Sequence, residues 1–327
     1  MKHKRTRNKR LFGNITLLVT AMIWGSAFVA QKAAPGAGIG PLTFCAARYV
    51  LATIGMCPVI SWTQRQMGLR SINPFALSSF LGDREKQKAH RKELLKAGFL
   101  TGFFMFGGTA FQQIALITTS AGKTAFLTCM YVVFVPLGSL LIWKKKPGQN
   151  AWFGVLFGIL GLFFLSFASG ITKGELAIAG GDLIVLLCAV FWAGQILTID
   201  HYMEKGLIDG IRMAQIQYAV TGLFSVIAMF LFETPHFSQV WACWIPILYT
   251  AIGSTVIGFT LQIIGQRYTT PAAASLIMSL ESVFGALSGA LFLHEKMALR
   301  EWLGALFLFA GIVISQLPNK KASEIHL

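Results

Sequence analysis

Long apolar segments separated by short polar connections decide what this chain can fold into. Ten of them run, to within a few residues each, over about 12–32, 41–62, 94–117, 119–143, 151–170, 179–202, 211–232, 243–265, 271–293 and 300–318. About 20 helical residues cross the ~30 Å hydrocarbon core of a bilayer. A backbone placed there must satisfy its own N–H and C=O groups, which leaves helices or closed barrels. These segments are continuously apolar rather than alternating, so helices are expected. With 327 residues, 55% apolar and 13% charged, the chain is too apolar for a water-soluble globule. The expected fold class is an all-α membrane protein of ten transmembrane helices.

Charge gives the chain its direction. Lys2, Lys4, Arg5, Arg7, Lys9 and Arg10 crowd the start. The second-to-third connection holds Arg65, Arg70, Arg84, Lys86, Lys88, Arg91, Lys92 and Lys96, Lys144 to Lys146 follow the fourth segment, and Lys320 and Lys321 close the chain. Ten spans starting inside put all of these on one side, and only Lys32, Lys123, Lys173, Lys296 and Arg300 on the other. That is the positive-inside bias, with both termini cytoplasmic and the chain in the plasma (inner) membrane. A net charge of +15 concentrated next to membrane segments is explained by anionic lipid and topology, so nucleic acid is not an expected partner.

The five cysteines, Cys45, Cys57, Cys129, Cys188 and Cys243, all fall in or at the ends of spans without a CxxC spacing, which argues against a disulfide framework or a zinc site. Phe28 spoils a cleavage site at Ala30, so the first segment reads as an uncleaved span. The expected divisions are a basic tail at 1–11, a first five-helix unit at 12–170, a second at 171–318 and a tail at 319–327. The polar 63–93 loop is either a solvated linker or carries a short interfacial helix from about Asp83 to Glu93.

The two units copy one another. Trp152-x-Gly154-x6-Gly161 recurs as Trp302-x-Gly304-x6-Gly311, and Phe157 as Phe307, a shift of 150 residues. Gly107-x-Thr109 recurs as Gly258-x-Thr260 and Thr118-Thr119 as Thr269-Thr270, a shift of 151, and Trp24 is answered by Trp192. Repeats with an odd number of spans insert in opposite senses, and such inverted repeats mark secondary transporters that rock around a central site. Gly154-x3-Gly158 and Gly285-x3-Gly289 are small-xxx-small pairs that serve intrachain packing or a homodimer.

Polar groups inside hydrocarbon point to the site. Glu281 sits mid-span in the ninth segment, where an acidic side chain costs roughly 2.5–3.5 kcal/mol on insertion scales. It is open to a proton-coupling or substrate-contacting role, or to a structural one. Arg48 in the second span pairs with Glu281, binds helix-end carbonyls or takes an anionic substrate group; Lys123 either snorkels to the outer surface or points inward at a carboxylate. Thr124, Thr128 and Tyr131 share one helical face, and the shift of 151 reproduces them as Ser275, Ser279 and Ser282. Matching hydroxyl stripes are expected on opposite walls of one cavity. Gln113, Gln195 and Gln262 are assigned to that cavity, and Trp24 and Trp192, deeper than an interfacial belt requires, flank it or simply pack.

These residues carry a resemblance. Trp24-Gly25-Ser26, Arg48, and Gly181-Asp182-Leu183 leading to Trp192 resemble the EamA-type members of the drug/metabolite transporter superfamily. So do Thr270-Pro271-Ala272-Ala273, Ser279-Leu280-Glu281, Phe292-Leu293-His294-Glu295 and Trp302-Leu303-Gly304. The resemblance implies ten helices in two inverted repeats, no bound cofactor, and movement of small metabolites, commonly outward. Two departures stand out: Ser282 occupies a position where the family often has Pro, and Lys144-Lys145-Lys146 stand where the first repeat often has Glu, leaving Glu295 without a counterpart.

The expected function is a secondary transporter, most simply an exporter, of small metabolites such as amino acids or drug-like compounds, working by alternating access with a proton-coupling role open to Glu281. The alternatives are a receptor or scaffold without translocation, or an intramembrane enzyme. Against catalysis, His294-Glu295-Lys296-Met297-Ala298 lacks the second His of HExxH, and no G-x-S-x-G elbow occurs. Gly122-Lys123-Thr124 ends like a phosphate loop but lacks its upstream glycine, so no ATP-driven step is expected.

Overall fold

The computed structural model describes residues 2–36, 38–66, 84–118, 124, 127–164, 180–204, 209–292 and 299–317. Lys123, the 67–83 part of the cytoplasmic-loop expectation, the junction at 165–179, His294, Glu295 and the tail from 318 lie outside the described residues. Among those described, every regular element is helical. They are α1 (Lys2–Gly36), α2 (Pro41–Gln66), α3 (Arg84–Ala115), α4 (Tyr131–Trp143), α5 (Gln149–Leu162) and α6 (Gly180–Glu204). The second half follows as α7 (Gly210–Phe232), α8 (Trp244–Gln266), α9 (Pro271–Met278), α10 (Glu281–Phe292) and α11 (Leu299–Gln316), with a short surface helix Phe237–Ala242 before α8.

Six helical stretches are long and apolar enough to cross a membrane: Pro41–Gln66, Ala89–Ala115, Gly181–Glu204, Gly210–Phe232, Trp244–Gln266 and Pro271–Ser288. Tyr131–Trp143, Gln149–Leu162 and Trp302–Gln316 are shorter apolar helices. The protein is a multi-pass membrane protein. Its outer surface is apolar, with Leu141, Ile142, Phe230 to Phe232 and Leu306 exposed, as a lipid-facing surface should be. The expected interfacial helix near Asp83–Glu93 is instead the opening of α3, which runs without interruption from Arg84.

Helix ends follow local chemistry. Asp209 caps α7 by accepting from the N–H groups of Ile211 at 3.0 Å and Arg212 at 3.5 Å. Thr270 caps α9 from Ala273 N–H at 3.3 Å, and Pro271 fills the first position, where no N–H is needed. The α2 terminus is capped from afar. Glu233, just past α7, accepts from Leu42 N–H at 2.8 Å, Thr43 N–H at 2.8 Å and the Thr43 hydroxyl at 2.7 Å. Lys144 ends α4 in the left-handed region at φ 53, where its N–H reaches back to Ser139 O.

The packing explains the duplicated motif. α5 lies along α11, and the small residues set how closely they approach. A Cβ at Gly154 would come 2.8 Å from Gly311 O, and one at Gly161 would come 2.7 Å from Gly304 O. Between them Phe157 meets Phe307 with ring centroids 5.9 Å apart. Gly158 packs on Leu276, and Gly25 approaches Gly285, so Gly154, Gly158 and Gly285 each face a neighbour within the chain. Elsewhere α3 packs on α6 and α7, α2 on α7 and α8, α1 on α8 and α10, and α4 on α6. A second pair of duplicated contacts lies in the core: Tyr49 and Thr109 hydroxyls are 2.8 Å apart, Tyr218 and Thr260 hydroxyls 3.1 Å.

Candidate functional site

Two helix interruptions create the polar centre. The helical turns before α4 and before α10 break at residues 129–130 and 279–280, a displacement of 150 residues. In each, tighter three-residue turns carry the chain across. Met130 N bonds Leu127 O at 3.2 Å and Val132 N bonds Cys129 O at 3.0 Å, while Leu280 N bonds Ile277 O at 3.2 Å and Ser282 N bonds Ser279 O at 3.2 Å. No proline is needed at 282 for this break. Glu281 thereby becomes the first residue of α10, where the positive end of the helix favours a carboxylate. Tyr131 opens α4 in the same way, so it corresponds to Glu281, rather than to Ser282 as the shift of 151 implied.

Glu281 is buried and accepts a hydrogen bond from the Tyr131 hydroxyl at 3.2 Å and a weaker one from Cys129 Sγ at 3.6 Å. Arg48, 4% exposed, does not pair with it. Its Nε donates to Thr255 Oγ1 at 2.8 Å and its Nη2 to Ser254 Oγ at 3.0 Å, while the guanidinium sits 5.1 Å over the Tyr49 ring. The reason is the backbone of α8, which is a π-helix from Tyr249 to Phe259. Its wider turn lets Thr255 Oγ1 donate to Thr250 O, five residues back, at 2.9 Å, and presents adjacent hydroxyls to the fork of the guanidinium. The opened carbonyls are used too: Ser254 O accepts from Trp24 Nε1 at 3.1 Å and Thr255 O from Tyr218 OH at 3.0 Å.

Around these groups lies a cavity lined by Trp24, Gln31, Arg48, Gln112, Thr128, Tyr131, Trp192, Ile196, Ser254, Phe259, Gln262 and Glu281. Phe259 is flanked by Trp24 at 4.5 Å and by Trp192 in a stacked arrangement at 5.5 Å, making one continuous aromatic wall. Amides form another side. Gln262 exchanges hydrogen bonds with Gln195 at 2.9 and 3.2 Å, and Gln195 also donates to Gln217 at 3.3 Å.

Of the expected site residues, Trp24, Arg48, Thr128, Tyr131, Trp192, Gln262 and Glu281 converge on this cavity. Gln113 and Gln195 stand one layer back, Gln113 donating to Gln31 Oε1 at 2.8 Å. The hydroxyl stripe of the ninth span does not line a wall. Ser275 and Ser279 donate to their own helix at Ala272 O and Leu276 O, and Ser282 contacts Cys129 Sγ at 3.0 Å. A serine hydroxyl in an apolar segment finds the carbonyl three residues back more readily than an open space. Thr124 is fully buried, away from the cavity. Gln31, Ile196, Ser254 and Phe259 belong to the wall although their residue types alone did not mark them, and so does Gln112, an amide inside the third span. No cluster of three His, Cys, Asp or Glu side chains suited to a metal occurs among the described residues.

One guanidinium, one carboxyl, several amides and an aromatic wall face the same space. The profile of the EamA-like transporter family matches residues 11–167 and 179–317. An "uncharacterized transporter" of Archaeoglobus fulgidus is 29% identical over 310 residues, spanning 94% of this chain and 87% of that protein. The "uncharacterized transporter YoaV" of Bacillus subtilis is 22% identical over 304 residues, 91% of this chain and 94% of that one. A solved structure described only as "crystal structure of protein" shares the fold with a TM-score of 0.70 at 16% identity, covering 94% of this chain and 98% of its own.

Proposed function

Because this chain belongs to the EamA-like transporter family, we propose that it is a secondary transporter that exports small metabolites, such as amino acids or drug-like compounds, across the plasma membrane. The observation that carries the reading is a buried carboxyl and a buried guanidinium facing one cavity at the interruption of two membrane helices. Discontinuous helices that meet near mid-membrane are how transporters expose polar backbone and charged side chains to a solute. The proposed architecture has ten spans in two inverted repeats, 12–170 and 171–318, with both termini cytoplasmic.

Self-complementary contacts support the inverted arrangement. Gly154 meets Gly311 and Gly161 meets Gly304, so each repeat-related position contacts its counterpart's neighbour in reverse order. Phe157 meets Phe307, its own counterpart 150 residues on. A two-fold axis between antiparallel helices generates this pattern, as in an isologous interface. The same operation carries the Tyr49–Thr109 pair onto Tyr218–Thr260 and the break before α4 onto the break before α10.

In the proposed cycle the repeats rock about this axis and open the cavity alternately to each side. Glu281 holds a proton or releases it as the solute leaves, Arg48 takes an anionic group, and the Trp24–Phe259–Trp192 wall receives the apolar body. The basic residues concentrated next to membrane segments favour anionic lipid as a partner. The test is reconstitution in proteoliposomes with an internal pH dye, screened against amino-acid and nucleoside pools. Solute-dependent proton flux lost in Glu281→Gln supports coupling, and solute movement without proton flux reduces Glu281 to a cavity residue. Failure to move any pool overturns the transporter reading.

A further inference from the structure

A second cavity lies at the end of the bundle where α4, α6 and α8 finish and α5 and α9 begin, lined among others by Lys145, Lys146, Asp200, Gln266 and Arg267. Two helices line both this cavity and the central one. Ile196 lines the first and Asp200 the second on α6, and Gln262 lines the first and Gln266 the second on α8. Residues four apart share a helix face and are separated by about 6 Å of rise. One face of each helix therefore runs from one cavity into the other.

The charges in this second cavity are layered. Lys146 and Arg267 are exposed at the rim, and Lys145 forms an ion pair with Glu204. Deeper, Gln266 is 2% exposed and its Nε2 donates to Ile196 O at 3.1 Å, but its Oε1 has no hydrogen-bond partner. A buried amide oxygen left unpaired is costly, so this position calls for a donor. Beside it in the lining is the carboxylate of Asp200. A simple anion would meet Asp200 and Glu204, and a simple cation would have to pass Lys146 and Arg267.

We infer that this cavity is a second solute station, which takes a small amphoteric molecule with its ammonium group on Gln266 Oε1 and Asp200 and its anionic group on Arg267 and Lys146. The inference rests on the transporter reading, and makes the station the place where solute waits one helical turn from the central cavity. The test is equilibrium dialysis of the detergent-solubilised full chain with a labelled mixture of zwitterionic amino acids as probe. Two equivalents are expected for the wild type, and one for each of Asp200→Asn and Gln266→Leu. Glu281→Gln is expected to remove the other. Acetate and methylammonium, each carrying one sign of charge, are expected not to displace the second equivalent. Folding of each variant is checked by its thermal melt, with Asp200→Glu as the conservative control that keeps both equivalents. A single equivalent in the wild type, untouched by Asp200→Asn, overturns the inference while amino-acid transport in proteoliposomes leaves the transporter reading intact. Displacement by methylammonium alone overturns it as well, as does transport of a non-amphoteric pool without amino-acid binding. Neither binding nor transport of any pool overturns both.

Discussion

Glu233 offers the sharpest test of how the two halves are tied together. Its carboxylate accepts three hydrogen bonds at the start of α2, from Leu42 N–H, Thr43 N–H and the Thr43 hydroxyl, all between 2.7 and 2.8 Å. Replacing an N-cap by alanine costs roughly 0.5–2 kcal/mol, and loss of a negative charge at a helix N-terminus adds about 0.3–1 kcal/mol. Glu233 is half-buried, so solvent recovers part of this, and Glu233→Ala should destabilise the protein by about 1–3 kcal/mol in sum. Glu233→Gln keeps the shape but turns one acceptor into a donor facing the same N–H groups, and should recover less than half the loss. A thermal melt in detergent followed by fluorescence reads the effect, since each kcal/mol moves the midpoint roughly 2–4 °C in domains of 150–250 residues. Gly40→Ala perturbs the same contact from the other side, because a Cβ there collides with the Glu233 carboxylate. The double variant should lose less than the sum of the singles, as expected for groups sharing one contact. A wild-type midpoint in Glu233→Ala, or full additivity with Gly40→Ala, would refute the reasoning.

Other outcomes are equally definite. Tyr131→Phe removes the hydroxyl donor to Glu281 and should lower stability by about 0.6–1.7 kcal/mol, the range for hydrogen bonds inside membrane bundles, while altering the pH profile of transport; an unchanged profile argues against coupling through this pair. Arg48→Lys loses the two-pronged contact with Ser254 and Thr255 and should behave nearly as badly as Arg48→Gln in solute flux, because an ammonium cannot reproduce the planar fork. Trp24→Phe and Trp192→Phe both keep a ring on the aromatic wall, but the first removes a donor to the backbone carbonyl of Ser254 and the second only a weaker bond to the Cys188 thiol, so Trp24→Phe should be the more damaging in a melt. Gly161→Leu forces α5 from α11 against the Gly304 carbonyl, and overpacking of this kind typically costs about 1–3 kcal/mol; a wild-type melt there would show that the two helices part freely.

Much of this architecture can be read from residue types because lipid leaves the backbone little choice. Apolar length marks helices, and the recurring glycines Gly154, Gly161, Gly304 and Gly311 mark a repeat, while the contact they make between α5 and α11 is visible only in the fold. The deep ionisable residues Glu281 and Arg48 announce the cavity for the same reason. Face counting then fails at two places. The π-helix from Tyr249 to Phe259 shifts the angular phase of everything after it, so Ser254, Thr255 and Phe259 cannot be assigned to the cavity by three- and four-residue spacing. The interruptions at 129–130 and 279–280 reset the phase again, which separates Ser282, set against Cys129, from Ser275 and Ser279, whose hydroxyls turn back on their own helix. Gln31 escaped notice because a glutamine near a span end reads as solvated, whereas Gln113 holds it against the cavity.

The contact between Phe157 and Phe307 carries a consequence for the transport cycle. If the two repeats exchange conformations in passing from one open state to the other, the exchange relabels every residue as its counterpart. A contact between counterparts is then relabelled as itself and is present at both ends of the stroke, which makes this pair a fulcrum rather than a gate. Tyr131 and Glu281 are counterparts as well, but of unlike chemistry. In the proposed cycle their contact persists while only one repeat carries an ionisable carboxyl, so the two end states are not equal in energy. That inequality would set which end state is more populated at rest, while the gradients set the direction of net movement.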